Sequence, residues 1–175
     1  MALVIDGFFS REECAALIEK CERAGWHQAT INVGNGEEEL DLEERNHLRC
    51  FVDDALIARE ISERIKQRVG ITHDFCNPRV RVLKYSEGNY FKPHYDGEQE
   101  WLGGASTHTV LVYLTDSAPE DGGYTRFCDS GVRIQPRIGR AVVFLQEDNL
   151  HEGETVLRGT KMVARTDLMR IRSVE

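Results

Sequence analysis

No run of apolar residues in this sequence approaches the roughly 20 that a membrane-spanning helix needs. The opening MALVIDGFFSREECAALIEK has no basic stretch leading into a long apolar core. A cytoplasmic protein without a membrane partner is therefore expected. Lys and Arg never cluster among aromatics, and the net charge of -8 would repel a phosphate backbone. Nucleic acid is not expected as a partner. The cysteines, at positions 14, 21, 50, 76 and 128, include no C-x-x-C pair and are odd in number. That argues against a structural zinc knuckle and against a disulfide framework, and for reduced, mostly buried thiols. No internal repeat and no low-complexity segment interrupts the chain.

What is present suits one globular domain spanning 1–175, with 41% hydrophobic and 30% charged residues. Residues 1–78 read as a helical lead-in. Ser10 and Glu13 have the form of a capping box, and Cys14, Leu17, Ile18 and Cys21 recur at helical spacing, which predicts a helix over 10–24. A second helix is expected from Asp53 and Asp54 to Gly70, with Leu56, Ile57, Ile61, Ile65 and Val69 on its inner stripe. Between them the stretch 32–47 is Gly-punctuated and carries six acidic residues among positions 37–44, so it is expected as a surface loop. It is either a solvated connection or a lid. Arg45 and Arg49 follow it and are candidates to counter an anionic group.

From Arg79 the pattern changes to short β-branched or alternating runs: VRVLKY, HTVLVYLT, YTRFC, VRIQ, AVVFL, ETVL and KMVARTDLM. Turn signals separate them, so residues 79–169 are expected to form a sandwich, barrel or jelly roll of seven or eight strands. The fold class is mainly β with flanking N-terminal helices.

His94 and Asp96 are two apart, and in an extended chain such residues face the same side. His151 follows the apolar run AVVFL. Two imidazoles and one carboxylate from separate strands form the facial set that leaves positions on Fe(II) open for oxygen chemistry. Zinc also accepts these ligands, so a metal-dependent hydrolase or a cupin-type enzyme stays open at this point. Lys161, ten residues beyond His151, bears on the choice. A 2-oxo acid that chelates iron leaves a far carboxylate whose burial needs a fixed cation. The competing assignment for Lys161 is a solvated strand end.

The runs RVLKYSEGNYFKPHYD, TVLVYLTD, DGGYTRF, AVVFLQ and HEGETVLRGTK, in this order, resemble the prolyl 4-hydroxylase-like branch of the 2-oxoglutarate and Fe(II)-dependent dioxygenases. The N-terminal VIDGFFSREECAALI resembles the lead-in of the same branch. The resemblance implies a double-stranded β-helix with iron on His94, Asp96 and His151. It also implies 2-oxoglutarate on Lys161, with Tyr113 beside that lysine and Tyr85 beside the iron-chelating end. O2 would be the oxidant and ascorbate an auxiliary reductant. Arg165 lies four residues past Lys161, which on a regular strand gives it the same face; the alternative is an outward partner for Asp167 or Glu175. Trp101 is either a stacking surface for substrate or folded back on the domain.

The chain departs from the branch at Gly122-Gly123-Tyr124-Thr125, where a glutamate is common in place of Tyr124, and in the loop DGEQEWLGGAST. The expected activity is hydroxylation of a prolyl or other residue in a peptide or protein. The alternatives are a small-molecule hydroxylase and a non-catalytic 2-oxoglutarate and metal sensor.

Overall fold

The computed structural model describes residues 2–34 and 37–172. The first helix, Arg11–Ala24 (α1), begins at the expected capping box: Ser10 Oγ accepts from the Glu13 amide at 3.1 Å, and the Glu13 carboxylate accepts from the Ser10 amide at 2.7 Å. It buries Cys14, Leu17 and Cys21. The second helix, Ala55–Arg68 (α2), is capped by Asp54, whose carboxylate accepts from the amides of Leu56 and Ile57. Its buried face is Ala58, Ile61, Ser62 and Ile65. Leu56, expected on that face, is 77% exposed. At about 100° per residue it lies about 140° around the helix from Ile61.

The strands are Leu3–Ile5 (β1), His27–Gln28 (β2), Ile31–Gly34 (β3), Glu37–Glu39 (β4), Leu48–Asp53 (β5), Phe75–Cys76 (β6), Arg79–Ser86 (β7) and Phe91–His94 (β8). They continue with Glu100–Trp101 (β9), Gly104–Tyr113 (β10), Thr125–Phe127 (β11), Arg133–Ile134 (β12), Ala141–Leu145 (β13), His151–Gly153 (β14) and Thr160–Ile171 (β15). The larger sheet runs β1-β13-β10-β15-β7-β5-β2, with β6 on β15 and β9 on β10. A smaller sheet runs β12-β11-β14-β8. This is the two-sheet form of a double-stranded β-helix, and its sheets do not close into a continuous barrel.

Three expectations are corrected. The region 1–78 is not only helical, because β1, β2, β5 and β6 join the larger sheet. Within 32–47 the chain forms the β3–β4 hairpin, with positions 35 and 36 outside the described residues. ETVL is not a strand: Val156 makes a single bridge to Gly122, and the strand in that segment is β14 instead.

Alternation along the central strands separates two apolar layers. Val80 and Val82 of β7, Val110 and Val112 of β10, and Met162 and Ala164 of β15 pack with the buried faces of α1 and α2. Leu83, Tyr85, Leu111, Tyr113 and Val163 of the same strands point the other way, toward Phe127 and Ile134 of the smaller sheet. The helices thus brace one face of the larger sheet and leave the other to line the interior. No described helix is long and apolar enough to cross a membrane.

The N-terminal segment is tied to the sheet at Gly139, whose carbonyl accepts from the amides of Phe8 at 2.7 Å and Phe9 at 3.1 Å. Gly139 has φ +76, and a Cβ there would lie 2.1 Å from the Phe9 carbonyl oxygen. Gly139→Ala is expected to cost more than about 2 kcal/mol in urea unfolding. Gly131→Ala, at φ +69 with nothing within 4 Å, is expected to cost only about 1 kcal/mol. Equal costs would contradict the close approach at Gly139.

Candidate active site

Strand register assembles the site. His94 of β8 and His151 of β14 are direct cross-strand partners, so their rings stand side by side with centroids 4.4 Å apart. Asp96, just beyond β8, turns its carboxylate between them: Oδ1 is 3.7 Å from His94 Nε2, and Oδ2 is 3.7 Å from His151 Nε2. All three candidate ligand atoms lie within 4.8 Å of one another.

The second ring nitrogens fix the tautomers. His94 Nδ1 lies 2.8 Å from the Lys92 carbonyl and His151 Nδ1 lies 2.9 Å from the Asn149 carbonyl. A carbonyl only accepts, so each Nδ1 carries the proton and each Nε2 presents a lone pair. Burial lowers both histidine pKa values, that of His94 to about 3, so the rings are neutral at physiological pH. Burial alone would raise Asp96, but Arg165 and the Thr109 hydroxyl hold it down at about 2. Two neutral nitrogens and one ionised carboxylate form a donor set fit for a divalent first-row metal.

Asp96 is oriented by a buried polar chain. Thr109 donates to its Oδ2 at 2.6 Å, and Arg165 Nη1 lies 3.1 Å from its Oδ1. Gln146 donates to Thr109 at 3.2 Å and to Asp167 at 2.9 Å. Asp167, fully buried, also pairs with Arg81 and lies 3.4 Å from Arg165 Nη2. Such second-layer partners set where a ligand's lone pairs point.

The register of β15 against β7 runs unbroken from Thr160 to Arg165, placing Lys161 opposite Tyr85 and Arg165 opposite Arg81. Lys161 and Arg165 therefore face the same interior. Lys161 is 2% exposed, and its ammonium lies 4.8 Å from the Tyr85 ring centre and 5.8 Å from that of Tyr113. No described carboxylate is ion-paired with it. Burial lowers its pKa from 10.5 to about 7, with Glu154 opposing weakly. Tyr113 donates to Thr125 Oγ1 at 2.7 Å, and burial raises the pKa of both tyrosines.

One cavity of about 580 Å³ is lined by His94, Asp96, His151, Tyr85, Lys161 and Arg165. Arg45 also lines it, over the Phe91 ring at 4.0 Å. Tyr113 sits behind its wall, through Thr125. Trp101 is not brought in: it borders a separate hollow of about 380 Å³ and lies under the Arg79 guanidinium at 5.2 Å. Arg165 does reach Asp167, and in the same geometry it reaches Asp96; Glu175, its other alternative partner, is outside the described residues. Sequence reasoning missed Thr109 and Arg81. Each lies four residues before a tyrosine on the same strand, Tyr113 or Tyr85, and that parity was the available signal.

The family model described as the 2OG-Fe(II) oxygenase superfamily matches residues 80–166, which contain every residue of this cavity except those of the N-terminal segment. A protein of Arabidopsis thaliana named "Probable prolyl 4-hydroxylase 11" is 33% identical over 95 residues, covering 50% of this chain and 32% of its own length. A PKHD-type hydroxylase of Stutzerimonas stutzeri is 25% identical over 178 residues, covering 94% and 76%. The chain thus spans about a third of the plant relative. The viral collagen prolyl hydroxylase of Paramecium Bursaria Chlorella virus-1, solved as a 2OG complex, superposes with a TM-score of 0.71 at 23% identity, covering 97% of this chain and 96% of that one. The likeness in fold extends over both sheets and helices. With its double-stranded β-helix and its paired histidines and aspartate at one end, the chain belongs to the 2OG-Fe(II) oxygenase superfamily, whose metal is Fe(II), whose co-substrate is 2-oxoglutarate and whose oxidant is O2.

Proposed function

We propose that this protein is a 2-oxoglutarate- and Fe(II)-dependent dioxygenase that hydroxylates a C–H bond in a prolyl or other residue of a peptide or protein. The observation that carries the reading is Lys161, a buried cation with no ion-paired carboxylate among the described residues, sharing a cavity with His94, Asp96 and His151. Burying an uncompensated charge is costly, so its presence points to an anionic partner that arrives from outside the chain. The far carboxylate of 2-oxoglutarate is that partner, with Tyr113 behind the lysine and Tyr85 toward the metal end.

In this reading His94, Asp96 and His151 hold the metal through the two Nε2 atoms and one carboxylate oxygen, and Thr109 and Arg165 keep that carboxylate turned inward. Bound Fe(II) and 2-oxoglutarate supply oxidative chemistry, consuming O2 and yielding succinate, carbon dioxide and a hydroxylated product. The chain itself contributes orientation, charge pairing and exclusion of water. Leu83, Leu111 and Phe91 give the cavity apolar walls. The β3–β4 hairpin borders the opening through Ile31 and Glu38 and serves as a cover over an extended substrate. Ascorbate belongs to the same proposal as an auxiliary reductant. Five free thiols, four of them buried, support a cytoplasmic location.

The activity is tested by screening peptides and metabolites for a gain of about 16 mass units with parallel release of succinate, as insertion of one oxygen requires. Mass gain without succinate would remove the assignment. Asp96→Ala is expected to abolish Mn(II) binding, measured by calorimetry, while the fold survives; unchanged affinity would place the metal elsewhere.

The pH dependence follows from Lys161. Its pKa of about 7 in the free protein must rise when a carboxylate pairs with it. Affinity of the Mn(II)-loaded protein for 2-oxoglutarate is therefore constant below that pH and falls as pH rises above it, with one proton taken up on binding. Lys161→Met is expected to weaken binding about 100-fold and to abolish the slope. An affinity independent of pH across that range would contradict the pairing.

A further inference from the structure

The cavity holds more positive charge than 2-oxoglutarate and the metal account for. Arg45, Arg49, Arg81 and Arg165 all line it. They form one group, since Arg45 is acted on by Arg165 and Arg49, and Arg81 by Arg165. Their counterions are few. Glu38 pairs with Arg49, and Asp167 is shared by Arg81 and Arg165. Asp96 also touches Arg165, but its charge is committed to the metal in the reading above.

The other acids of the cavity wall are engaged elsewhere: Glu44 with Lys92 at 3.2 Å, Glu98 with Arg172 at 2.5 Å, and Glu152 with Arg126 at 2.5 Å. Four guanidiniums thus share two dedicated carboxylates.

Among the described residues, Arg45 is the one of the four with no carboxylate partner. It donates to the Thr30 carbonyl at 3.2 Å, contacts His47 Nε2 at 2.7 Å and stacks on Phe91. His47 supplies no negative charge. Its Nε2 accepts from Arg45, and burial followed by Arg45 itself keeps the ring neutral, with a pKa of about 2. Arg45 is lowered by burial to about 10 and so remains charged at neutral pH.

The Nε atoms of all four arginines are buried without a hydrogen-bond partner; the only other such side-chain atoms among the described residues are the indole nitrogens of Trp26 and Trp101. Unpaired donors and uncompensated charge therefore coincide in the lining of one cavity. Buried donors of this kind cost free energy unless a ligand satisfies them.

The co-substrate does not fill this role. Its far carboxylate is matched by Lys161 and its chelating end by the metal, and the ionisable groups acting on Arg45 are Tyr85, Arg165, Arg49 and Asp96, with Lys161 not among them. Arg45 follows the β3–β4 hairpin, whose Ile31 and Glu38 line the same cavity.

We propose that the molecule oxidised here carries a carboxylate close to the reacting carbon, and that Arg45, flanked by Arg49 and Arg165, receives it. This rests on the oxygenase reading and narrows its substrate class to acidic peptides or free carboxylic acids. A planar guanidinium suits a carboxylate through two parallel hydrogen bonds, a geometry that a lysine cannot supply.

The test uses the full chain loaded with Mn(II) and saturated with N-oxalylglycine, so that the Lys161 site is filled. Calorimetry then compares matched probes: N-acetyl-L-proline against N-acetyl-L-proline amide, and Ac-Ala-Pro-Asp-Ala-NH2 against Ac-Ala-Pro-Asn-Ala-NH2. The expected result is a preference of about ten-fold or more for the carboxylate member of at least one pair. The pair that shows it distinguishes a free acid from an acidic peptide. Arg45→Gln is expected to erase the preference, and Arg45→Lys to keep part of it.

Equal affinity within both pairs, or no binding of either carboxylate probe in the millimolar range, overturns the inference, whatever the variants do. N-oxalylglycine binding, measured first on the wild-type protein, tests the oxygenase reading separately. If it binds and the probes show no preference, only the anionic substrate class falls. If it does not bind, the oxygenase reading falls.

Discussion

The burial of Lys161 without an ion-paired carboxylate among the described residues is the constraint on which the rest of the site depends. A lysine at 2% exposure costs free energy in the resting protein, and burial has drawn its pKa down to about 7. The fold tolerates this because Lys161 sits in the middle of the larger sheet. There, pairing with Tyr85 fixes its backbone, and the helices on the opposite face hold the sheet rigid. A surface lysine would bind a dicarboxylate weakly, since water would screen the pair. A buried one exchanges a poor environment for a matched one when the carboxylate arrives.

The same economy of position governs the metal end. His94 and His151 meet because β8 and β14 pair, and Asp96 joins them through the turn that follows β8. Each imidazole donates a hydrogen bond from Nδ1–H to a backbone carbonyl two residues before it in sequence, so ligand geometry is written into local backbone conformation. The carboxylate is held by more distant residues, Thr109 from β10 and Arg165 from β15. The two histidines thus come from two strands of the smaller sheet and Asp96 from the segment just beyond β8, with its support from two strands of the larger. The site exists only where both sheets are in register.

Much of this was legible in the sequence, and the reasons are physical. The His-x-Asp spacing and the capping box at Ser10 and Glu13 are local signals, which depend only on strand or helix geometry, whereas the interval from His151 to Lys161 drew its meaning from the family resemblance. The roles of Tyr85 and Tyr113 came with the family resemblance, and that the two residues converge is a matter of register. Thr109, Arg81 and Gln146 were not identified, because parity with Tyr113 and Tyr85 gives Thr109 and Arg81 a face but not a partner, and the partners of all three appear only when the cross-strand neighbours are known. Arg165 stayed ambiguous for the same reason, since a bulge would have turned it outward; the unbroken pairing with Arg81 turns it in. Of the strands within residues 1–78, His27–Gln28 and Phe75–Cys76 were missed because they are too short to show alternation. Trp101 was a candidate by residue type alone, and type does not carry position.

The most direct test of the account is a crystal structure of the Mn(II)-loaded protein with 2-oxoglutarate. The account predicts one metal ion on His94, Asp96 and His151, chelated by the 2-oxo acid end, with the far carboxylate on the Lys161 ammonium and the arginine wall left free. A dicarboxylate bound instead to Arg45 and Arg49, with Lys161 unpaired, would contradict it.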